Sequence, residues 1–429
     1  MALSMFTNSV SPIAIDLGAS SVKLLQLSTG GERPEIVAAA EMTIPDAMRG
    51  NATALFEHYA EQLPKLITKG KFRGKRAVIA IPSAQTFTQH MQLPKAEGMS
   101  REEQIKAQLQ MTMGASPDGV VVRSIEVGEV GKHGQSRSEV ICFAISKRTV
   151  MQCIELLKRM RLEVVGVHTE TIAMVHAFGH LNRRESDKDV TTLYVDLGWG
   201  GTRAAIAHGP KVAFARHIQV AGKHFDQMLM RDLHCQPAEA RAYRLALSGP
   251  IAKASGTPAG GKDGGMALLS AAAEAQAAAE DSSGERGGLF RKKRGGAAVA
   301  EDRRVGEAPP DYAESLLPGG SAAEAVAAGR VDMTELLDTM ADELSMGLRY
   351  HHAMFPDRRI DRVIFVGGES RQLWLCHHVI RKLRLPAHVG DPLARLGREH
   401  AKTKGELDLS APQPGWAVPC GLCLAPTDI

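Results

Sequence analysis

Aromatic side chains are scarce in this chain: 3 Trp, 5 Tyr and 11 Phe make up 4% of its 429 residues. A surface that stacks nucleic-acid bases needs more of them, so a single-strand-binding platform is excluded. A charge excess is also missing. The net charge of +4 is too mild to argue for nucleic acid. No apolar run approaches the roughly 18 residues a membrane helix needs. Residues 1–11 lack the charged and apolar regions of a secretory signal, so a soluble, cytosolic chain is expected. The six cysteines, at 142, 153, 235, 376, 420 and 423, are dispersed and read as reduced thiols. Cys420 and Cys423 have CxxC spacing but lie in the apolar stretch Trp416 to Ala425 with no second Cys/His pair nearby. Burial in a final helix fits that context better than a zinc or redox site.

What the chain does have is a phrase stated twice. Ile13 to Lys23, IAIDLGASSVK, returns as Leu193 to Arg203, LYVDLGWGGTR. Each copy is an apolar run, then Asp-Leu-Gly, then small or hydroxyl residues and a basic one. Each continues as a hairpin: Val22 to Leu27 turning into Glu35 to Glu41, and Arg203 to Ala207 turning into Val212 to Ile218. Glycine after a buried strand lets backbone N–H groups and hydroxyls approach phosphate oxygens. Asp16 and Asp196 at the strand ends suit Mg²⁺ held through its waters. Lys23 offers a point charge to the outer phosphates. One Asp-Leu-Gly also fits an ordinary strand-to-turn junction; two in matching hairpins point to a duplicated nucleotide clamp.

Between and after the hairpins the pattern changes. Thr53 to Thr68 has helical spacing with Pro64 inside it, and Arg76 to Ile81 is a buried strand stopped by Pro82. Residues 85–167 read as a small β-α-β-β-α-β module: strand Phe87 to Leu93, a helix opened by the capping box Ser100-Arg101-Glu102-Glu103, strands Val120 to Val127 and Ser138 to Ile145, helix Lys147 to Met160, and a closing strand Leu162 to Val167. Helices are expected over Thr169 to Phe178, Ala221 to Leu233, Pro237 to Leu247 and Met333 to Met354. Residues 249–329 collapse into Gly, Ala, Ser and charge, including the basic run Arg291 to Arg294, and read as a flexible insertion. Strand Arg362 to Val366 feeds Gly367-Gly368-Glu369-Ser370, a turn on which a ribose or flat ring can lie against bare backbone.

Phosphate hairpin, inserted module, second hairpin and Gly-Gly turn, in this order, resemble the layout of actin-like nucleotide-binding proteins. The implied fold is α/β: a duplicated actin-like (ribonuclease H-like) ATPase fold with an inserted βαββαβ subdomain. Its expected division is a first lobe over 1–84, the insert over 85–167, and a second lobe over 168–248 and 330–429, interrupted by 249–329. Leu93-Pro94 before the capped helix, the Ala221-Gly222 loop and the ending from Asp391-Pro392 to Gly421-Leu422 resemble the type IV pilus assembly protein PilM family, relatives of the bacterial division protein FtsA.

The resemblance implies that Asp16, Gly18, Ser20, Ser21 and Lys23 form one phosphate loop, and Asp196, Gly198, Gly200, Gly201 and Thr202 the other. Gly367, Gly368 and Ser370 would face the adenosine, with Mg²⁺ near Asp16 and Asp196. Arg244 reads equally as a contact to the base or ribose and as a solvated helix arginine. Glu170 reads as a carboxylate orienting water or as a structural helix residue. Trp199 departs from the small residue common in relatives, His168 from their frequent Asp, and Arg241 from a commonly acidic position. These departures bear on hydrolysis more than on binding. The implied function is an ATP-binding adaptor at the cytoplasmic side of an inner membrane, docking the cytoplasmic tail of a PilN-like protein and reaching other platform or motor components. Membrane contact runs only through partners, and self-association stays open. A filament-forming or division-type actin homologue is the alternative; a small-molecule kinase would need an acceptor pocket and base not identifiable in the sequence.

Overall fold

The structure is a computed structural model and describes residues 10–425 apart from 32, 50, 95–97, 115, 133–134, 247–330, 398–406 and 408. The expected insertion at 249–329, with its basic run, therefore lies outside the described residues.

The repeated phrase folds into repeated sheets. Strands β1 (Ile13–Leu17), β2 (Ser21–Ser28) and β3 (Glu35–Thr43) form an antiparallel meander, and β4 (Arg76–Ile81) pairs parallel to β1 after helix α1 (Ala52–Lys69). The first sheet has the order β3-β2-β1-β4-β8, with β8 (Glu163–Thr169) parallel to β4. In the second half β9 (Thr191–Leu197), β10 (Thr202–His208) and β11 (Lys211–Ile218) repeat the meander, and β12 (Arg362–Val366) and β13 (Ala387–Val389) repeat the parallel additions, in the order β11-β10-β9-β12-β13.

Both sheets are buried on both faces, which explains strands that read as nearly continuous apolar runs. Outward from the first sheet, Ile13, Ile15 and Leu24 pack with Tyr59 and Leu63 of α1 and with Leu156 and Leu157 of α3 (Lys147–Arg159). Outward from the second, Val195 and Ile206 pack with α5 (Gly222–Leu233), α6 (Pro237–Ala246), α7 (Thr334–Met354) and α8 (Leu373–Leu383) through Phe225, Tyr243, Met340 and Val379. Between the sheets lie α4 (Glu170–His176) and α9 (Ala417–Leu424), which share one apolar cluster with residues of both halves. Cys420 and Cys423 are buried in α9; burial pushes the Cys423 thiol up to about 12, so both stay protonated and inert.

Two placements differ from the sequence reading. The strand expected to close the inserted module joins the first sheet as β8, and α3 is the crossover helix that brings it there. Its apolar face, Leu156 and Leu157, fits the core beneath α1, and parallel neighbours require such a crossover. The inserted three-stranded sheet is β5-β7-β6, from β5 (Thr86–Pro94), β6 (Val120–Lys132) and β7 (Gln135–Ser146), covered on one face by α2 (Arg101–Met113) through Ile105 and Leu109. The capping box that opens α2 is formed in both directions. The second difference is α9, expected within the second lobe; it packs on α4 and on β1, β2 and β4 of the first.

The other face of the small sheet rests on the second lobe. Buried Glu139 of β7 pairs with His90 Nδ1 at 3.0 Å and accepts from Tyr350 Oη at 2.5 Å, and the His90 ring stacks on Phe214 of β11. Further along α7, His351 Nε2 and His208 Nε2 lie 2.8 Å apart against Phe355. Burial pushes both histidines from 6.5 down to about 4, so folding favours their neutral forms. The stability this contributes is fully present above pH 6.5 and drains away as the pH falls towards 4. Thermal unfolding followed from pH 7 to pH 4.5 is expected to show a falling midpoint, with a shallower fall in His208→Phe; parallel profiles for the two proteins would refute this assignment.

Candidate functional site

The two Asp-Leu-Gly bends meet. Strand register sets Asp16 opposite Lys23 in the first half and Asp196 opposite Arg203 in the second, so each half presents a carboxylate and a cation at the same place. Gly18 and Gly198 play matching roles: a Cβ would lie 2.8 Å from the Ser21 carbonyl in one and 2.7 Å from the Gly201 carbonyl in the other. The bends face each other across one cleft lined by Asp16, Gly18, Ser20, Ser21 and Lys23 from the first half and by Asp196, Gly198, Gly200 and Gly201 from the second. Gly367, Gly368 and Glu170 line the same cleft. Gly367 has φ +90°, and a side chain there would drive into the Asp196 carboxylate and the Leu197 carbonyl. Its neighbour Gly368 faces open space.

Three expected site residues turn away from the cleft. Thr202 is fully buried and donates its hydroxyl to the Val220 carbonyl at 2.7 Å; alternation along β10 sends it away once Arg203 points in. Ser370 is fully buried and donates to the Gly367 carbonyl at 2.7 Å, closing its own turn. Arg244 is neither solvated nor open to the cleft. It is 1% exposed and clasped between Asp226 (Nε to Oδ1, 2.5 Å) and Glu369. Asp226 also accepts from Trp199 Nε1 at 2.6 Å, and the Arg49 guanidinium lies 4.7 Å above the Trp199 ring, reaching from the first half to the second.

Several cleft residues are absent from the sequence reading as site members. Ser83, His217, Glu369 and Gly415 line it, and so does Arg203. Arg203 donates from Nε (3.1 Å) and Nη2 (2.6 Å) to Asp196 Oδ2 and from Nη1 to Glu170 Oε2. The same Glu170 oxygen accepts from the Ser83 backbone N–H and hydroxyl, both at 2.6 Å. Glu170 is thus held by three donors at one oxygen, which is a structural anchorage. The repeat carried a signal for Arg203, since it occupies the position of Lys23 in the second copy.

Electrostatics separate the two carboxylates. The Asp16 carboxylate accepts no side-chain hydrogen bond among the described residues; burial, then the Glu170 charge, raise it to about 7 against the opposing pull of Lys23 and Arg203. Burial works against the Arg203 charge, but Asp196, Glu170 and Asp16 outweigh it and hold the guanidinium firmly protonated. Asp16 is open to the cleft, whereas Asp196 gives Oδ2 to Arg203 and keeps Oδ1 buried without a hydrogen-bond partner.

Twin meanders with parallel additions, hinged about a cleft of paired Asp-Gly bends, define the actin-like ATPase fold. A model of the type IV pilus assembly protein PilM family matches residues 14–251, and the chain belongs to that family. A solved PilM-PilN type IV pilus biogenesis complex is similar over 97% of this chain and 98% of that one, at 16% identity and a TM-score of 0.67. The ethanolamine utilization protein EutJ from Carboxydothermus hydrogenoformans matches over 97% of this chain and 89% of its own, at 13% identity and a TM-score of 0.47.

Removing Arg244 leaves Asp226 and Glu369 buried without their counter-ion, a loss of about 3–5 kcal/mol. Arg244→Ala is expected to lower the unfolding midpoint markedly in the absence of any ligand. A midpoint unchanged from the parent would show that the triad does not hold the second lobe.

Proposed function

We propose that this protein is an ATP-binding, actin-like adaptor of a type IV pilus assembly platform, working at the cytoplasmic face of the inner membrane and docking the cytoplasmic tail of a PilN-like membrane protein. Family membership supports the assembly role. The observation that carries the nucleotide reading is the convergence of both Asp-Leu-Gly bends and the Gly367-Gly368 turn on one cleft. Exposed backbone at the bends, with Ser20, Ser21 and Lys23, suits phosphate oxygens; Gly368 leaves room for a sugar or base.

Entry requires the cleft to widen. Its interior of about 100 Å³ is small beside the roughly 300–1,000 Å³ of sites that enclose such ligands. A Cβ on Gly200 would lie 2.6 Å from Ala19 Cβ, so the two bends already touch. ATP is thus read as binding a parted state and biasing the lobes towards it by its differential affinity. No hydrolytic step is assigned, because Glu170 is committed to Ser83 and Arg203.

The tail-docking surface is read as the inserted module with its neighbouring lobe. Its sheet order, β5-β7-β6, leaves β5 and β6 as edges to which an extended segment can add. No described helix is long and apolar enough to cross a membrane, consistent with attachment through a partner.

Gly368→Val places a side chain in open space, so it is expected to melt like the parent while losing tenfold or more in ATP affinity by calorimetric titration; unchanged affinity would reject the cleft as the nucleotide site. A labelled peptide from the cytoplasmic tail of a PilN-like protein is expected to bind the full chain saturably in fluorescence anisotropy. Absence of binding with and without ATP would reject the adaptor reading.

A further inference from the structure

We propose that Arg203 is the resident cation of this cleft, standing where a divalent metal would sit, so that nucleotide binds here without magnesium. The inference rests on the nucleotide reading above.

Of the two strand-end carboxylates, Asp16 alone stays open to the cleft. Arg203 forks across Asp196 and Glu170, which are 3% and 4% exposed in their side chains, while its own is 14% exposed. Asp196 Oδ2 takes two guanidinium bonds, which leaves only Oδ1, buried against Gly367 without a hydrogen-bond partner. Magnesium demands a near-ideal octahedral shell and keeps several waters. Seated between these carboxylates it would share the gap with a cation that cannot neutralise itself, because a guanidinium does not give up its proton in proteins.

The same guanidinium suits phosphate. Of its five N–H donors, one each on Nε, Nη1 and Nη2 is spent on the two carboxylates. The other two N–H groups remain for a ligand, and Arg203 lines the cleft beside Lys23. Planar forks of this kind match phosphate oxygens bidentately. Arg203 thus combines two duties that a metal performs in such clefts: it neutralises the buried strand-end carboxylate, and it presents positive charge to the phosphates.

The test compares ATP binding by the full chain in magnesium and in EDTA. The parent is expected to change affinity by less than about threefold, whereas Arg203→Gln is expected to bind about tenfold or more weakly in EDTA than in magnesium, roughly 1.4 kcal/mol. A tenfold loss in EDTA by the parent overturns the inference. Thermal melting without nucleotide supplies an independent arm. With the guanidinium gone, Asp196 and Glu170 are unpaired, so magnesium should raise the melting midpoint of Arg203→Gln and leave the parent unmoved; no such rescue overturns the inference. If the parent binds no ATP in either condition, the nucleotide reading fails and the melting arm alone decides the role of Arg203. Should Arg203→Gln not accumulate, the double variant Arg203→Gln/Glu170→Gln, which leaves one carboxylate fewer unpaired, carries both comparisons.

Discussion

Burying two like-charged carboxylates at facing strand ends is the constraint on which the rest of this structure depends. Asp16 and Asp196 are 6% and 2% exposed and point into one cleft. Charges buried this far cost several kcal/mol each unless paired. The fold answers with a cation directly across each hairpin, Lys23 and Arg203, and recruits Glu170 and Ser83 to complete the second set. A parallel network of Arg244, Asp226, Glu369 and Trp199 fills the neighbouring space behind the Gly367-Gly368 turn. Such pairs add little net stability over an apolar core; what they impose is geometry, because any shift that parts a pair strands a charge.

Duplication supplied the two halves, and a single divergence made them unequal. Lys23 carries a compact charge on a flexible stem; it donates to Ser21 Oγ at 2.7 Å and pairs with Glu41 at 3.2 Å, which leaves Asp16 open to the cleft. Arg203, at the equivalent position, has the reach and the fork to close on Asp196 and Glu170 together. The first half therefore keeps its carboxylate available to a ligand, while the second satisfies its own internally. Trp199 deepens the asymmetry. It stands where the first copy has Ala19, donates to Asp226 and receives Arg49 on its face.

Much of the fold was legible because it is written in local periodicity. The two meanders, the capped helix α2, the strand before the Gly-Gly turn and the buried final helix all follow from alternation, helical spacing or a capping box. The register facts were partly legible as well: a basic residue closes both copies of the repeat, so Arg203 belongs where Lys23 is. Once Arg203 faces the cleft, period-two alternation turns Thr202 into the core, and naming Thr202 as a loop ligand overlooked that. The rest depended on contacts distant in sequence. Nothing in Glu163–Thr169 tells which sheet it joins, because a short apolar strand suits either. Arg244 could be placed only by its partners, 18 and 125 residues away. Ser370 follows the same logic, since its hydroxyl closes a turn whose shape is set by Gly367 against Asp196.

The inserted module connects these local facts to a larger motion. Its chain leaves the first lobe after β4 and returns through α3 and β8, so it is tethered to the first sheet at both ends. Its three-stranded sheet rests instead on the second lobe, where Glu139 joins His90 and Tyr350 and where His90 stacks on Phe214. A body tethered to one lobe and packed on the other cannot follow both when they separate. Widening the cleft must either strain the tether or shear the packing around Glu139, whose loss would leave buried polar groups unpaired. On the proposed reading of nucleotide entry, the cleft and the module are linked by covalent connection and core packing. The coupling needs no chain of side-chain relays between the cleft and the module.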